Sequence, residues 1–317
     1  MDEFTLIETF FKTETLPRPD VLLGIGDDAA AIGIPPDKCL LVSTDTLVSG
    51  VHFLPEWDAY DIACKAVLTN VSDMVAMAAE PCWLTLALTL PALDKKWLGR
   101  FAKGLFDSLH AWNIALIGGD TTQGPLAISM TILGVAEPQS VVKRSGAKPG
   151  DVIFVSDPLG AAALAIHVLE KQAVAANDRA VMMQALLHPN PRGDLIPFLR
   201  QYASAAIDIS DGLSTDLNHI CEASAVGACL FEADIPLHPL LQKYAPKEAL
   251  SLALSGGDDY ALCFTVPALK QESLMKALKT AGLVCYPVGF IEENLSVFIE
   301  NKDKQRRPLQ ARGYSHF

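Results

Sequence analysis

The sequence predicts a two-domain protein of the α+β class, built as α/β sandwiches. The chain has 317 residues, about twice the length of a typical domain. Strand-like and helix-like segments alternate along it, and a polar stretch with glycine and proline, residues 143–151, interrupts the alternation near the middle. We therefore place one domain at residues 1–145 and a second at residues 146–317.

Hydrophobic periodicity predicts the elements of each half. The clearest signal is a long helix, in which Ile62, Ala66, Asn70 and Met74 recur at helical spacing. The first half reads, in order, as a helix over 3–12, a strand over 39–43, a helix over 58–79, a strand over 83–90, a helix over 94–112, and strands over 114–117 and 126–136. The second half reads as strands over 152–156, 205–209, 261–266 and 284–291, with helices over 160–170, 213–223 and 267–281.

Charge and composition exclude several functional classes. The formal net charge of −12 argues against nucleic acid or an anionic membrane surface as the main partner. The seven cysteines form no C-x-x-C pair, so we expect reduced, buried thiols. An acidic start without a basic leader, and the absence of an apolar run near the ~18 residues of a membrane span, predict a cytoplasmic protein.

Aspartates beside glycine, or at predicted strand ends, are the most informative pattern. Such positions carry function in α/β architectures, although aspartate beside glycine is also ordinary turn chemistry and a good helix cap. For Asp211, capping the helix that begins near residue 213 is the direct alternative to a metal role. The set comprises Asp27, Asp28, Asp45, Asp120, Asp208, Asp211, Asp258 and Asp259.

Asp73 differs from these because it lies in the middle of a predicted apolar helix. A carboxylate buried there costs several kcal/mol unless it is paired or bound to metal, and its alternative is the solvent face. Carboxylate and hydroxyl oxygens, without a matching histidine or cysteine cluster, suit Mg²⁺ and phosphoryl transfer. The sequence holds no G-x-x-x-x-G-K-[ST] loop and no protein-kinase motif set. The predicted ligands are Asp28, Asp45, Asp73, Asp120 and Asp208, with Ser43 and Thr44 as neutral oxygens.

In this order, the motifs resemble the thiamine-monophosphate kinase family, within the superfamily of aminoimidazole ribonucleotide synthetase-like ATP enzymes. They run from residue 26 to the C-terminus, and the ordered set is far more specific than any single block. The matching blocks are Gly26-Asp27-Asp28, Ser43-Thr44-Asp45, Asn70-Val71-Ser72-Asp73-Met74, Gly118-Gly119-Asp120-Thr121, Lys143-Arg144-Ser145-Gly146, Asp208-Ile209-Ser210-Asp211-Gly212, Gly256-Gly257-Asp258-Asp259 and Gly313-Tyr314-Ser315-His316-Phe317.

The resemblance implies a two-domain homodimer in which the first domains pair and ATP lies in a cleft that reaches the second domain. It implies direct transfer of the γ-phosphoryl group of ATP to thiamine monophosphate, with several Mg²⁺ ions. Metal binding would fall to Asp28, Ser43, Thr44, Asp45, Asp73, Asp120, Asp208 and Asp211, of which Asp45, Asp120 and Asp208 are the catalytic members. ATP would contact Gly119, Asp120, Arg144 and Ser210, and the substrate would contact His52, Asp259 and Tyr314.

Two of these positions depart from the family pattern, which usually has glutamate at Asp259 and often tryptophan at Tyr314. On residue type alone, the alternative for Arg144 is a solvated cation. A lone histidine such as His52 is more often a surface or satisfied residue, and an aromatic near a terminus such as Tyr314 more often serves packing. Two rival functions stay open. One is a sister enzyme such as aminoimidazole ribonucleotide synthetase, and the other is a non-catalytic protein that binds Mg²⁺ and nucleotide.

Overall fold

Two separate β-sheets organise the chain in the computed structural model, which describes residues 3–12, 14–168, 173–311 and 313–314. Each sheet belongs to one of two units. Unit 1 comprises residues 1–75 and 79–139, and unit 2 comprises residues 76–78 and 140–317. The two-domain α+β class predicted from the sequence is confirmed.

Unit 1 is built on a four-stranded sheet with the order β3-β6-β4-β5, in which β4 and β5 run parallel and the other pairs antiparallel. A two-stranded hairpin, β1-β2, packs Val21 and Ile32 against Trp83. The strands are β1 (Val21–Leu23), β2 (Ala31–Ile32), β3 (Cys39–Val48), β4 (Glu80–Leu90), β5 (Ala115–Gln123) and β6 (Ala127–Ala136). The helices are α1 (Glu3–Ile7), continued by a π-helical turn (Glu8–Lys12), α2 (Ala59–Ala76) and α3 (Lys95–Ala111).

Helix α3 shows how the sequence sets these elements. Asp94 caps it, because its carboxylate accepts the backbone N–H groups of Lys96 and Trp97. Its apolar face then recurs at helical spacing, and the side chains of that face are buried. These buried residues include Leu98, Phe101, Leu105 and Leu109.

Gly104, on the buried face of α3, allows the helix to approach the first turn of α2. A methyl group at this position would overlap the carbonyl oxygen of Tyr60. We therefore expect Gly104→Ala to lower the free energy of unfolding by about 1–3 kcal/mol, as overpacking does. Gly99→Ala is the matched control in the same helix, because it meets only a Phe10 ring carbon at 3.9 Å.

The control variant is expected to gain roughly 0.5–1 kcal/mol from the lower backbone entropy of the unfolded chain. Urea unfolding of both variants, each compared with the parent protein, measures the two changes. Effects of the same sign and size would contradict the close approach of α3 to Tyr60.

Unit 2 is built on a seven-stranded sheet with the order β13-β12-β9-β11-β7-β10-β8, in which β9 and β12 run parallel. The strands are β7 (Val152–Val155), β8 (Ala205–Ile209), β9 (Gly227–Phe231), β10 (Ala261–Val266), β11 (Tyr286–Glu292), β12 (Val297–Glu300) and β13 (Arg306–Pro308). The helices are α4 (Ala161–Val168), α5 (Ala176–Leu187), α6 (Ile196–Tyr202), α7 (Leu213–Ser224), α8 (Pro239–Tyr244), α9 (Ala249–Ser255) and α10 (Ala268–Ala281).

Two strand predictions were too short, and the difference concerns the site. Strand β3 continues to Val48, so Asp45 lies inside a strand and not at its end. Strand β5 continues to Gln123, so Asp120 also lies inside a strand. The prediction followed the apolar run alone, whereas both strands continue through polar residues. One face of β3 is exposed, and β5 becomes exposed beyond Ile117.

The stretch 143–151, predicted as a linker, is held against unit 2 by its backbone. The Ala206 N–H donates to the carbonyl of Lys143, and the Ser224 hydroxyl accepts the N–H groups of Gly146 and Ala147. Ala147 is buried. The loop that carries Arg144 is therefore anchored on both sides of that residue.

Some predictions fall on residues that the structure does not describe. They are the end of the helix predicted over 160–170, beyond residue 168, and the last three residues of the family-like ending, Ser315, His316 and Phe317. Among the described helices, none combines the length and the apolar character that a bilayer crossing requires.

Candidate active site

In unit 1, a half-buried group of polar side chains lies where β3 meets α2. The Ser43 hydroxyl donates a 2.5 Å hydrogen bond to a carboxylate oxygen of Asp73. Asp45 is two residues beyond Ser43 on the same strand and therefore on the same face. The structure thus brings together Ser43, Asp45 and Asp73, and it places Asp73 half-buried against the sheet, away from a purely solvent-facing position.

The electrostatics of this group favour a bound cation. Burial, together with the negative charge of Asp73, raises the pKa of Asp45 to about 6. Two carboxylates in a partly desolvated place repel each other, and a divalent cation removes that cost. Hydroxyl and carboxylate oxygens are also the donors that Mg²⁺ prefers, so this donor set fits the metal predicted from the sequence.

Thr44 lies between Ser43 and Asp45 in sequence, but its side chain is on the opposite face of β3. Its hydroxyl shares a 2.8 Å hydrogen bond with the hydroxyl of Thr131 on β6. The structure therefore does not bring the Thr44 hydroxyl together with Ser43 and Asp45, which follows from the alternation of side chains along a strand.

Asp120 and Gly119 lie on β5, at the opposite edge of the sheet from β3. Across the sheet, Asp45 on β3 pairs with Met130 on β6, Met130 pairs with Leu86 on β4, and Leu86 pairs with Gly119 on β5. Three strand spacings of about 4.8 Å separate the two edges by about 14 Å. Within one copy of unit 1, Asp120 and Asp45 therefore lie at similar positions along their strands, but they are on opposite edge strands and are not neighbours.

Position 119 accommodates glycine but no larger residue. Its φ of +153° is in the range that favours glycine, and a Cβ atom would overlap the carbonyl oxygen of Leu86 on β4. The glycine before Asp120 is thus explained by close approach of two strands. Gly119 is exposed next to Asp120, and it is the residue predicted to contact the nucleotide.

Two further predicted residues of unit 1 lie in turns. Asp28 is exposed in the connection between β1 and β2, where its N–H donates to the Asp27 carboxylate at 2.9 Å. His52 is half-buried in the turn after β3, and its Nδ1 accepts the backbone N–H of Val48 at 3.0 Å. In the neutral imidazole the proton then lies on Nε2, which makes that nitrogen a donor.

In unit 2, the loop after β8 gathers Asp208, Ser210 and Asp211. Asp208 is buried within β8, Ser210 is half-buried, and Asp211 lies two residues before the start of α7. Asp216, in the first turns of α7, accepts the backbone N–H groups of both Asp211 and Gly212, at 3.1 and 3.0 Å. Asp211 therefore does not cap α7: Gly212 is at the N-cap position, and Asp216 instead reaches back to the N–H groups at and just before that position.

Asp216 and His219 are candidate metal ligands that the sequence prediction missed. Ligand atoms of Asp211, Asp216 and His219 all lie within 4.8 Å of one another. Burial, together with the negative charges of Asp208 and Asp211, raises the pKa of Asp216 to about 8. The available signal was the spacing of Asp216 and His219, three residues apart on one helix face directly after a carboxylate-bearing loop.

Asp259 lies in a segment whose backbone is strained. Its neighbours Asp258 and Tyr260 have positive φ angles of 65° and 49°, which non-glycine residues rarely adopt. The Asp259 carboxylate accepts the N–H of Gly160 at 2.9 and 3.1 Å. Burial raises the pKa of Asp259 to about 8, against the stabilising bond from Gly160.

Arg144 and Tyr314 are the most exposed of the predicted site residues in unit 2. The Arg144 side chain is exposed, while its carbonyl accepts the Ser224 hydroxyl at 3.3 Å. Tyr314 is 49% exposed, and its N–H donates to the carbonyl of Asp211 at 3.3 Å. Both residues therefore have anchored backbones and accessible side chains, as residues that contact a ligand require.

Residues 26–136 match the family described as AIR synthase related protein, N-terminal domain, and residues 148–300 match its C-terminal domain. The chain is 44% identical over 318 residues to the thiamine-monophosphate kinase of Escherichia coli strain K12, covering 99% of this chain and 98% of the relative. It is 32% identical to the enzyme of the same name from Bacillus subtilis strain 168, over the whole of both chains.

Solved structures show the same likeness. The thiamine-monophosphate kinase of Stenotrophomonas maltophilia K279a superposes with a TM-score of 0.87 at 40% identity, covering 94% of this chain and 96% of that one. AaThiL, solved in complex with AMPPCP and TMP, superposes with a TM-score of 0.79 at 32% identity, and the match covers 92% of each chain.

Proposed function

Because this chain belongs to the thiamine-monophosphate kinase family, we propose that it transfers the γ-phosphoryl group of ATP to thiamine monophosphate and releases thiamine diphosphate. The observation that carries the proposal is the full-length likeness to relatives of that name. AaThiL, which is among the similar structures, is complexed with TMP and with AMPPCP, an analogue of ATP. Both reactants of the proposed transfer are thus represented in one relative.

Mg²⁺ is the proposed metal, and Ser43, Asp45 and Asp73 supply the geometric support for it. When bound, it would neutralise the phosphate charges and bridge phosphate oxygens. The Ser43 hydroxyl fixes the orientation of the Asp73 carboxylate on α2, on the side of β3 where Asp45 also lies. The full set proposed for metal binding is Asp28, Ser43, Asp45, Asp73, Asp120, Asp208 and Asp211, of which Asp45, Asp120 and Asp208 are proposed as catalytic. The Thr44 hydroxyl is left out of this set, because it bonds to Thr131 on the opposite face of β3.

The remaining residues bind and orient the two reactants in this proposal. Gly119, Asp120, Arg144 and Ser210 are assigned to ATP. The fork of the Arg144 guanidinium suits phosphate oxygens, and its anchored backbone limits the entropy lost on binding. No general base is needed, because the acceptor is a phosphate that is already ionised at neutral pH. Positioning and charge neutralisation supply the rate enhancement.

Thiamine monophosphate is assigned to His52, Asp259 and Tyr314. The turn after β3 leaves the proton of a neutral His52 ring on Nε2, where it can donate to a phosphate oxygen. Thiamine carries a cationic thiazolium ring, which both a carboxylate and an aromatic face attract. The exposed ring of Tyr314 provides the aromatic face. Asp259, whose pKa is raised to about 8, would become the carboxylate when the cationic ring binds beside it, because a neighbouring positive charge lowers the pKa of a carboxyl group.

A product assay tests the proposal. Purified protein with ATP, Mg²⁺ and thiamine monophosphate is expected to form thiamine diphosphate, detected by chromatography after oxidation to the fluorescent thiochrome. EDTA is expected to abolish the reaction, because the phosphate charges are then left without their counter-ions. ATP hydrolysis without thiamine diphosphate, or turnover only with an aminoimidazole ribonucleotide precursor, would favour a sister enzyme. ATP binding without any turnover would favour a non-catalytic binder.

We also propose a homodimer in which the first units pair. One face of the unit 1 sheet carries exposed apolar and hydroxyl side chains, with Val42 58% and Leu40 37% exposed and Thr44 and Thr46 beside them. Because β3 and β5 are the two edges of that sheet, two-fold pairing would bring the β5 edge of one copy to the β3 edge of the other. The β5 edge that carries Asp120 would then lie beside the β3 edge that carries Asp45 of the second copy.

A cytoplasmic location completes the proposal. All seven cysteines are free thiols in the structure, and six of them are buried. Reduced cysteines in this number are typical of a reducing compartment.

A further inference from the structure

The loop after β8 offers its backbone carbonyls to two segments that are distant in sequence. Three successive carbonyls, at residues 209–211, each accept a backbone N–H group. Ile209 accepts from Tyr260 at 2.8 Å, Ser210 from Asp258 at 2.7 Å, and Asp211 from Tyr314 at 3.3 Å. The side chains of this loop are assigned to metal and nucleotide, whereas the two segments it holds carry Asp259 and Tyr314, which are assigned to the substrate.

Gly313 is the residue that lets the second segment approach. A Cβ atom there would overlap the carbonyl oxygen of Asp211 and the hydroxyl oxygen of Thr215, and it would lie 3.0 Å from the Thr215 Cβ. These neighbours cannot easily give way, because Asp211 is fixed by Asp216 and Thr215 is in α7. The Thr215 hydroxyl is buried beneath this contact and has no hydrogen-bond partner among the described residues.

We propose that Gly313 is a positioning residue for the substrate, acting through Tyr314. Because Gly313 has no side chain, residues 313 and 314 can lie against the Asp211 carbonyl and the first turns of α7. This contact sets the position of the Tyr314 ring. The inference rests on the proposed kinase activity and deepens its substrate site. It differs from a folding role because Tyr314 is 49% exposed and therefore contributes little to the core.

The test is the substitution Gly313→Ala. The added methyl group is expected to displace the tail and to raise the KM for thiamine monophosphate at least about tenfold, with kcat at saturating substrate and the KM for ATP changed by less than about threefold. Isothermal titration of thiamine monophosphate, in the presence of a non-hydrolysable ATP analogue, is expected to show the same loss of affinity without turnover.

Gly282→Ala is the matched control. Gly282 ends α10 in unit 2 with a φ of +72° and has open space where a Cβ would lie, so alanine there is strained but displaces nothing. This variant is expected to lose some stability and to keep both KM values. A similar increase of KM in both variants would assign the effect to general destabilisation and overturn the proposal.

A double-mutant cycle shows whether Gly313 affects substrate binding through the position of Tyr314 or independently of it. Tyr314→Ala is expected to raise the KM for thiamine monophosphate, and adding Gly313→Ala to it is expected to change that KM by less than about twofold. Full additivity would overturn the proposal, as would an unchanged KM in Gly313→Ala. If the parent protein itself forms no thiamine diphosphate, the proposed function fails instead, and the two failures are thereby distinguished.

Discussion

Replacing Asp45 by asparagine is expected to lower kcat by about three orders of magnitude and, in metal-free protein, to stabilise the fold. The loss of turnover follows from the loss of a charged metal ligand at the proposed site. The gain in stability follows from the neighbourhood of Asp45, since the parent protein holds an ionised carboxylate in a partly buried place beside Asp73. Asparagine keeps the size and removes the charge.

The gain is expected to be about 1 kcal/mol, or roughly 2 °C in Tm, after allowance for partial solvent exposure. Folding raises the pKa of Asp45 to about 6, so the parent protein loses this stability as the pH rises from about 4 to 6. The difference between the two proteins should therefore be largest at pH 8 with EDTA. It should shrink as the pH falls below 6, where the parent Asp45 takes up its proton.

Thermal unfolding with EDTA and with Mg²⁺ measures this difference, and Asp37→Asn is the control. Asp37 is an exposed carboxylate in the turn before β3, and its replacement is expected to change neither Tm nor kcat. Mg²⁺ should raise the Tm of the parent protein more than that of the Asp45 variant. A variant that is less stable than the parent in EDTA at pH 8 would contradict the like-charge account of this site.

Asp120→Asn is expected to be equally inactive, yet to regain activity when it is mixed with Asp45→Asn. The two residues occupy opposite edge strands, about 14 Å apart within one sheet by strand spacing. If a site combines Asp45 of one copy with Asp120 of the other, a mixed dimer retains one site in which both residues are intact. Random re-pairing makes half of the dimers mixed, so roughly a quarter of the parent activity should return.

Co-expression with two different affinity tags, followed by tandem purification, isolates the mixed dimers for this measurement. Their expected activity is about half that of the parent protein, since one of their two sites is intact. Purified mixed dimers that stay inactive would place Asp45 and Asp120 of the same copy in one site. A protein that does not dimerise would contradict the pairing itself.

The sequence was sufficient for the fold class and for the placement of Asp73. The long helix α2 was predicted from its apolar spacing, and a carboxylate inside it required a partner, which the structure supplies in Ser43. In contrast, Asp45 and Asp120 were predicted at strand ends. Their strands continue because hydroxyl side chains such as Thr46 pair across neighbouring strands, here with Ser129, and extend the sheet without an apolar signal.

Several elements of unit 2 were missed for a different physical reason. Helices α6, α8 and α9 have only six or seven residues, too few for periodicity to be recognised. Asp216 and His219 escaped attention because their significance depends on the fold of the loop before α7, which alone brings Asp211 near them. Long-range register is also what separates Asp45 from Asp120, and no local pattern contains it.

The side chain of Asp216 limits where this chain can bind a phosphate group. Many nucleotide-binding proteins seat a phosphate on the free amides where a helix begins after a strand. Here an acidic side chain of the protein itself occupies two amides at that position, those of Asp211 and Gly212. These two amides are therefore not available to a phosphate group, so we expect a triphosphate to find its counter-charge in metal ions and arginine, which a protein of net charge −12 has to place locally.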